Sequence, residues 1–278
     1  MEILVCVDDT DDQTKATSTG RIADAIEARL LECGIASGSS GTTRHQLLLD
    51  ERINYTSHNS SMCALLKTEE SLIGLSEKTR REFEKRIIKI CADTICDLKA
   101  AECNPGLCVC FPEKLSNRED LVSFGIKGQN SVLTKDMAYA LAENEGIHLS
   151  EHGGDGTGVI GALCGTGLRL SGFDGWFRGN IDPAKAGISG NMVLSGELAE
   201  KTGVPVIYEG KLLAANEIIK IKRDKEIKCM LRDHQKVIVV TKDEENGIYK
   251  IFDKNVMRNA AEYQAALCGA FEYDKVCC

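Results

Sequence analysis

The chain has 278 residues, 43% of them hydrophobic and 27% charged, with a formal charge of −8, a balance that excludes a disordered polymer and allows one large domain or a core with a smaller companion. The negative charge argues against sequence-independent nucleic-acid binding through a basic surface, and no apolar run approaches a membrane span. Glu2 and the aspartates from Asp8 give the start neither the basic flank nor the apolar core of a signal peptide, so a cytoplasmic location is expected.

The first element is a short apolar strand, Ile3–Val7, that runs into Asp8, Asp9, Thr10, Asp11 and Asp12. Carboxylates packed this closely repel one another, so without a counter-cation at least one of them must hold its proton to a higher pH. A bound Mg²⁺ on Asp8, Asp9 and Asp11 is one remedy, since Mg²⁺ takes one or two carboxylates together with waters and substrate phosphates. The other reading is an acidic, solvated turn whose aspartates cap the next helix. That helix is expected from a cap at Thr17, Ser18 or Thr19 to about Cys33, with Ile22, Ile26 and Leu30 facing the core.

Gly34 to Gly41 reads as loop or strand entry, followed by strands over Thr43–Leu49 and Met62–Lys67. The polar segment between them, from Ile53 through Tyr55 to Ser61, has unusual hydrogen-bonding capacity, though a surface loop without a role reads the same way. A long helix is expected from Ser76 to about Lys99, with Phe83, Ile87, Ile90, Cys91 and Ile95 at helical spacing. Asn104-Pro105-Gly106 turns into a buried strand, Leu107–Phe111. Thr134 caps a helix that ends at Gly146, with Met137, Ala138, Leu141 and Ala142 inward, and Ile147–Ser150 is a brief strand.

Thirteen cysteines, five of them between Cys91 and Cys110, favour reduced thiols over a disulfide framework. No Cys-x-x-Cys spacing occurs, so the cluster reads as core packing rather than a zinc site.

The run from Glu151 to Gly167 carries Gly153, Gly154, Gly156, Gly158 and Gly161 around Thr157. Glycine at this density lets backbone amides approach an anion, and a helix starting near Thr157 would aim its positive end at a phosphate. A tightly packed glycine-rich helix is the alternative, and the run matches neither the P-loop nor a strict G-x-G-x-x-G. His152 reads as a hydrogen-bonded structural histidine. A boundary is expected near residues 175–190. Beyond it come a helix around Leu198 and strand-like runs at Val204–Tyr208, Glu217–Lys222, Lys228–Leu231, Lys236–Thr241 and Ile248–Phe252. Asn246-Gly247 suits a hairpin, and a closing helix is expected near Val256–Leu267. The fold class is therefore α/β, a mixed sheet with helices packed on it over residues 1–180, plus a small α+β module over residues 181–278.

Four separated segments resemble one family, the archaeal tRNA-isoleucine agmatinylcytidine synthetase, TiaS. Asp8-Asp9-Thr10-Asp11 with Ser18 and Thr19 is similar to its Asp-Asp-Thr-Asp opening and following hydroxyl pair. Thr43-Arg44-His45-Gln46-Leu47 to Ile53-Asn54-Tyr55-Thr56 resembles its Arg-x-x-Arg-Leu-Asn-Pro segment, Asn104-Pro105-Gly106 its Asn-Pro-Gly turn, and Gly156–Leu163 its Gly-Arg-Gly-Leu-Ile-Gly-Ala-Leu loop. The resemblance covers about 170 residues. It implies an ATP-using, kinase-like core in which Asp8, Asp9 and Asp11 hold Mg²⁺-ATP with Thr10, and Gly153, Gly154, Gly156, Thr157, Gly158 and Gly161 lie against phosphates. Arg44 would clamp the transition state, and Ser18 or Thr19 would accept or contact a phosphate. Serine stands at position 18 where the family has threonine, Thr157 replaces a basic residue, and nothing in the last hundred residues corresponds to the family's OB-fold or zinc ribbon.

The resulting expectation is an Mg²⁺- and ATP-dependent transferase or ligase whose partners are a nucleotide and an unidentified small-molecule acceptor. RNA is disfavoured by the charge, no membrane partner is expected, and homo-oligomerisation is left open. A non-catalytic nucleotide or small-anion sensor, or a tRNA-modifying enzyme that recruits RNA through a partner, are the alternatives.

Overall fold

The apolar run Ile3–Val7 forms the middle of β1 (Glu2–Asp8) and is buried on both faces, because helices cover the sheet from either side. The computed structural model describes residues 1–12, 17–53, 55, 58–69 and 76–252. The chain divides into two units, Met1–Arg178 and Gly179–Cys278.

In the first unit, β2 (Gly38–Gln46), β3 (Ser60–Lys67), β4 (Gly106–Cys110), β5 (His148–Glu151) and β6 (Trp176–Phe177) join β1 in the order β5-β4-β1-β3-β2-β6. Neighbours in this sheet are antiparallel throughout. α1 (Thr19–Glu32) and α2 (Glu77–Leu98) lie on one face, where Ile22, Ile26, Leu30, Phe83, Ile87 and Ile95 meet Ile3, Val5 and Val7. α3 (Arg118–Asn130), α4 (Lys135–Glu145) and α5 (Gly158–Ser171) cover the other, against Leu4, Cys6, Cys63, Cys108 and Cys110. Side chains alternate between the two cores with the period of two that a strand imposes.

Ser18 caps α1 by accepting from Arg21 N at 3.3 Å, Ser76 caps α2 and Thr134 caps α4, while Gly146 ends α4 in the left-handed region. Two expectations need correction here. The strand expected over Thr43–Leu49 is β2, Gly38–Gln46, which starts and ends earlier because its pairing with β3 runs from Gly38 to Gln46 through a register shift between Ser39 and Thr42. Met137 is 46% exposed, because Ala138 and Ala142 are the side of α4 that meets the core.

The second unit contains β7 (Met192–Leu194), α6 (Ser195–Thr202), β8 (Val206–Tyr208), β9 (Lys211–Leu212), β10 (Ile218–Lys220), β11 (Met230–Arg232), β12 (Gln235–Asp243) and β13 (Ile248–Ile251). Parallel pairs appear here, β8 with β12 and β10 with β13, beside antiparallel ones, so the protein's sheet structure is mixed. The helix expected near Val256–Leu267 lies outside the described residues. Among those residues no helix is long and apolar enough to cross a membrane. The ten described cysteines are free thiols, and no group of three or more His, Cys, Asp or Glu side chains among the described residues is arranged to hold a metal.

Candidate functional site

The strand β1 ends at Asp8 and the chain turns at once, with Asp9 in the left-handed region at φ 52°, a conformation aspartate tolerates better than most residues. Asn104 holds this turn. Its Nδ2 donates to Asp9 Oδ2 at 3.0 Å, its Oδ1 accepts from Asp155 N at 3.0 Å, and its backbone oxygen accepts from Gly158 N at 3.0 Å. One asparagine therefore joins the acidic turn to the glycine-rich loop and to the first turn of α5.

The two segments that the sequence keeps some 150 residues apart thus face each other. Asp8, Asp9, Asp11, Thr157, Gly158 and Gly161 line one cavity of about 490 Å³, within the range of small-molecule sites. Ser18, Thr19 and Arg44 line it as well, so nine of the residues singled out from sequence meet there. Arg178, Ser60, Arg52 and Asp155 add to its polar lining, and Leu47, Met62, Val132, Leu133 and Ile160 add apolar contacts.

The lining carries charge of both signs. Among the carboxylates, burial, then repulsion from Asp9 and Asp11, pushes Asp8 up to about 8. Asp9 is also raised, by burial first, against the opposing hydrogen bond from Asn104. Repulsion among the crowded carboxylates contributes to the rise as expected, but burial is its larger cause at both positions. Among the cations, the Arg178 guanidinium grips Asp24 of α1 with contacts of 2.6 to 3.0 Å. Arg44 donates from Nε to Ser60 Oγ at 3.0 Å. Burial and then the nearby Arg178 hold the Arg44 guanidinium below its usual value, the mark of two cations converging on one space.

Thr10, Gly153, Gly154 and Gly156 were expected against the nucleotide and do not line the cavity. Thr10 is fully buried, its Oγ1 without a hydrogen-bond partner, and the three glycines pack on Lys99, Asn104 and Glu151 respectively. The loop's amides are also engaged internally: Asp155 N on Asn104, Thr157 N on Asp155 Oδ1, Val159 N on Gly156 O and Ile160 N on Thr157 O. Those amides, and Gly158 N on Asn104 O, are therefore engaged within the protein and tie the start of α5 to the Asn104 turn. His152 is hydrogen-bonded to Ser150 Oγ at 2.9 Å and lies away from the cavity, as read from sequence. Asn54, Thr56 and Ser57, part of the motif around Tyr55, fall outside the described residues.

Asn104, Asp155 and Arg178 are functional candidates that the sequence did not single out. Asn104 carried a signal, the Asn-Pro-Gly turn, whereas Arg178 sits alone in a glycine-rich stretch and gave none.

Comparison with solved structures finds similarity to a tRNA fluorescent labelling enzyme (22% identity, TM-score 0.47) and to TiaS in complex with tRNA and ATP (21% identity, TM-score 0.48), each over 60% of this chain and 36% of that chain. Apo TiaS, a tRNA agmatidine synthetase, is similar at 20% identity and TM-score 0.46, over 60% of this chain and 35% of that one. The chain spans little more than a third of the length of these structures. No protein-family model matches the sequence, and no curated protein matches it.

Proposed function

We propose that the first unit binds a nucleoside triphosphate with Mg²⁺ in this cavity and transfers its terminal phosphoryl group to an acceptor, as a kinase-like transferase or as the activating half of a ligase. The observation that carries the reading is that one cavity is lined by three carboxylates that repel one another, two guanidiniums that repel one another, and the hydroxyl-bearing first turn of α1. A triphosphate with a divalent cation has the complementary pattern, anionic oxygens bridged by a positive ion.

Asp8, Asp9 and Asp11 would hold the cation. Burial first, then repulsion from Asp9 and Asp11, raises Asp8, and a bound cation would favour its carboxylate against both; Mg²⁺ takes one or two carboxylates and completes its shell with waters and phosphate oxygens. When bound, Mg²⁺ neutralises charge on the phosphates. Arg44 and Arg178 would engage phosphoryl oxygens through planar, permanently charged forks, and Ser18 or Thr19, at the positive end of α1, would contact or accept the transferred group. Asp9, half-buried and held by Asn104, is placed to orient an acceptor hydroxyl or take its proton.

Titration calorimetry with Mg²⁺-ATP followed by a phosphate-release assay tests this. Binding with turnover is expected, and Asp9→Asn should bind weakly and turn over at least tenfold more slowly while remaining folded. Turnover at the wild-type rate in that variant would remove the metal assignment, and binding without turnover in the wild type would make the protein a sensor. The acceptor divides two ways. The four motifs shared with TiaS favour RNA, and the charge of −8 favours a small molecule. RNA that co-purifies and is labelled by γ-phosphate transfer would settle on the first.

A further inference from the structure

The strand that delivers Arg44 to the cavity carries His45 on its opposite face, beneath α5, with no exposed surface. Both ring nitrogens are engaged at 2.7 Å, Nδ1 with Asp174 Oδ1 and Nε2 with Thr43 Oγ1, and Thr43 Oγ1 also reaches the Cys63 carbonyl at 3.2 Å. The second Asp174 oxygen accepts from Gln129 Nε2 at 3.1 Å, and the same nitrogen donates to the Gln46 carbonyl at 3.0 Å. A carboxylate only accepts, so the Nδ1 proton lies toward Asp174. The contacts form a chain from β3 through β2 to the turn after α5, then through α3 back to the end of β2.

The turn closes tightly on the ring. Gly175 sits at φ 118°, and a side chain there would bring its Cβ within 2.8 Å of His45 Cε1, so only glycine fits. Backbone bonds fasten the same corner: Leu48 N donates to Gly128 O at 3.1 Å, and Arg44 pairs with Trp176 across β2 and β6. Thr43, His45, Asp174 and Gln129 do not line the cavity, whereas Arg44 and Leu47 of this strand end and Gly128 and Ser131 of α3 do.

We propose that Asp174 and His45 are a positioning pair for Arg44: they fix the end of β2 against α3, and so set where the guanidinium enters the cavity. The proposal rests on the reading of Arg44 as a ligand-facing group. Arg44 needs such support, because its hold among the described residues is one neutral hydrogen bond to Ser60 and Arg178 repels it. A long side chain so lightly tethered keeps its place only if its backbone does.

Asp174→Asn tests the pair with little change of shape. The asparagine carbonyl can still accept from His45, but its amide then meets the Gln129 amide donor to donor, and the chain breaks toward Gln46. Nitrogen-15 NMR on the full chain reads two protons, His45 Nδ1–H and Arg44 Nε–H. Both are expected to exchange slowly in the wild type. In Asp174→Asn the Arg44 Nε–H should exchange about tenfold faster or shift, and Mg²⁺-ATP should bind about tenfold more weakly, as expected for one or two buried hydrogen bonds lost. Gln129→Leu, which removes both amide bonds from a half-buried helix position, should move the same signals less and serves if Asp174→Asn does not fold. An Arg44 Nε–H unchanged while the His45 proton is lost would overturn the proposal and leave the network as packing alone. If the wild type binds no ATP, the functional reading fails, and the Arg44 signal still decides this one.

Discussion

The carboxylate of Asp8 occupies the space that a side chain at position 161 would need: a Cβ built on Gly161 falls 1.6 Å from Asp8 Oδ2. Gly161 is helical, so alanine would favour α5 intrinsically by about 1 kcal/mol, and any loss measured must come from the collision. Gly161→Ala is expected to destabilise the protein by about 1–3 kcal/mol in denaturant unfolding, the usual cost of overpacking a tight core. The double variant Asp8→Ala with Gly161→Ala should recover part of that loss. Strict additivity of the two single changes would show that the residues do not share this space.

Stability should fall with rising pH through Asp8. In the folded protein its carboxyl keeps a proton up to about 8, while in the unfolded chain it releases it near the ordinary 3.8. Between those values folding takes up a proton, so each pH unit costs at most about 1.4 kcal/mol for this one group. His148, held below its usual value by burial and then by His152, and His152, held below it by burial and then by Lys99, act in the opposite sense at lower pH, where the folded state resists their protonation. The clean window is therefore from about 6.5 to 8, above the usual histidine range. Melting temperature should drop across it, the drop should vanish in Asp8→Asn, and millimolar Mg²⁺ should raise the melting temperature more at pH 8 than at pH 6.5. Equal pH slopes in wild type and Asp8→Asn would contradict the burial of charge at this position.

Asn104 makes a further case, because three hydrogen bonds from one residue tie the acidic turn, the glycine loop and α5. Asn104→Ala keeps the backbone bond to Gly158 and removes the two side-chain bonds, leaving the Asp155 amide and the Asp9 carboxylate without their partners. The expected loss is about 1–3 kcal/mol, since unmade bonds to buried or charged groups cost more than the bonds themselves contribute. Hydrogen exchange should speed up at the Asp155 and Thr157 amides before it does so in β1. Protection unchanged at both would mean that the loop holds itself.

Much of this arrangement was legible from residue pattern. β1, α1, α2 and α4 follow from apolar periodicity, the helices bounded by the capping residues Ser18, Ser76 and Thr134, while the start of α5 near Thr157 was read from the glycine-rich run and Thr157 itself makes no side-chain cap. α3 did not, because Gly125 and Gly128 lower its helix propensity. Its helix forms because those glycines let it lie against α5, where a Cβ at Gly125 would come 2.8 Å from the Cys164 carbonyl. The same logic explains the glycine loop. Density of glycine in sequence signals close approach of something to backbone, and only coordinates distinguish a phosphate from Asp8, Asn104 and Glu151. Arg178 was illegible for another reason: its place is fixed by Asp24, 154 positions away, and no local pattern encodes that distance.

Arg44 offers the test in which function and stability should separate. Its guanidinium is half-buried, makes one neutral hydrogen bond to Ser60, pairs with no carboxylate among the described residues and lies near a second cation. Removing it relieves repulsion and desolvation, so Arg44→Met, which keeps the stem, should leave the melting temperature unchanged or slightly raised. A charge placed at a cost to the fold is a candidate for ligand binding, the role proposed for Arg44. The same variant should therefore weaken Mg²⁺-ATP binding by roughly ten- to a hundredfold, the range for one charge-assisted hydrogen-bond pair of about 1.5–3 kcal/mol. Arg44→Lys should fall between, since an ammonium keeps the charge and loses the fork. A large fall in melting temperature with unchanged nucleotide affinity would reverse the assignment and make Arg44 a structural residue of the strand.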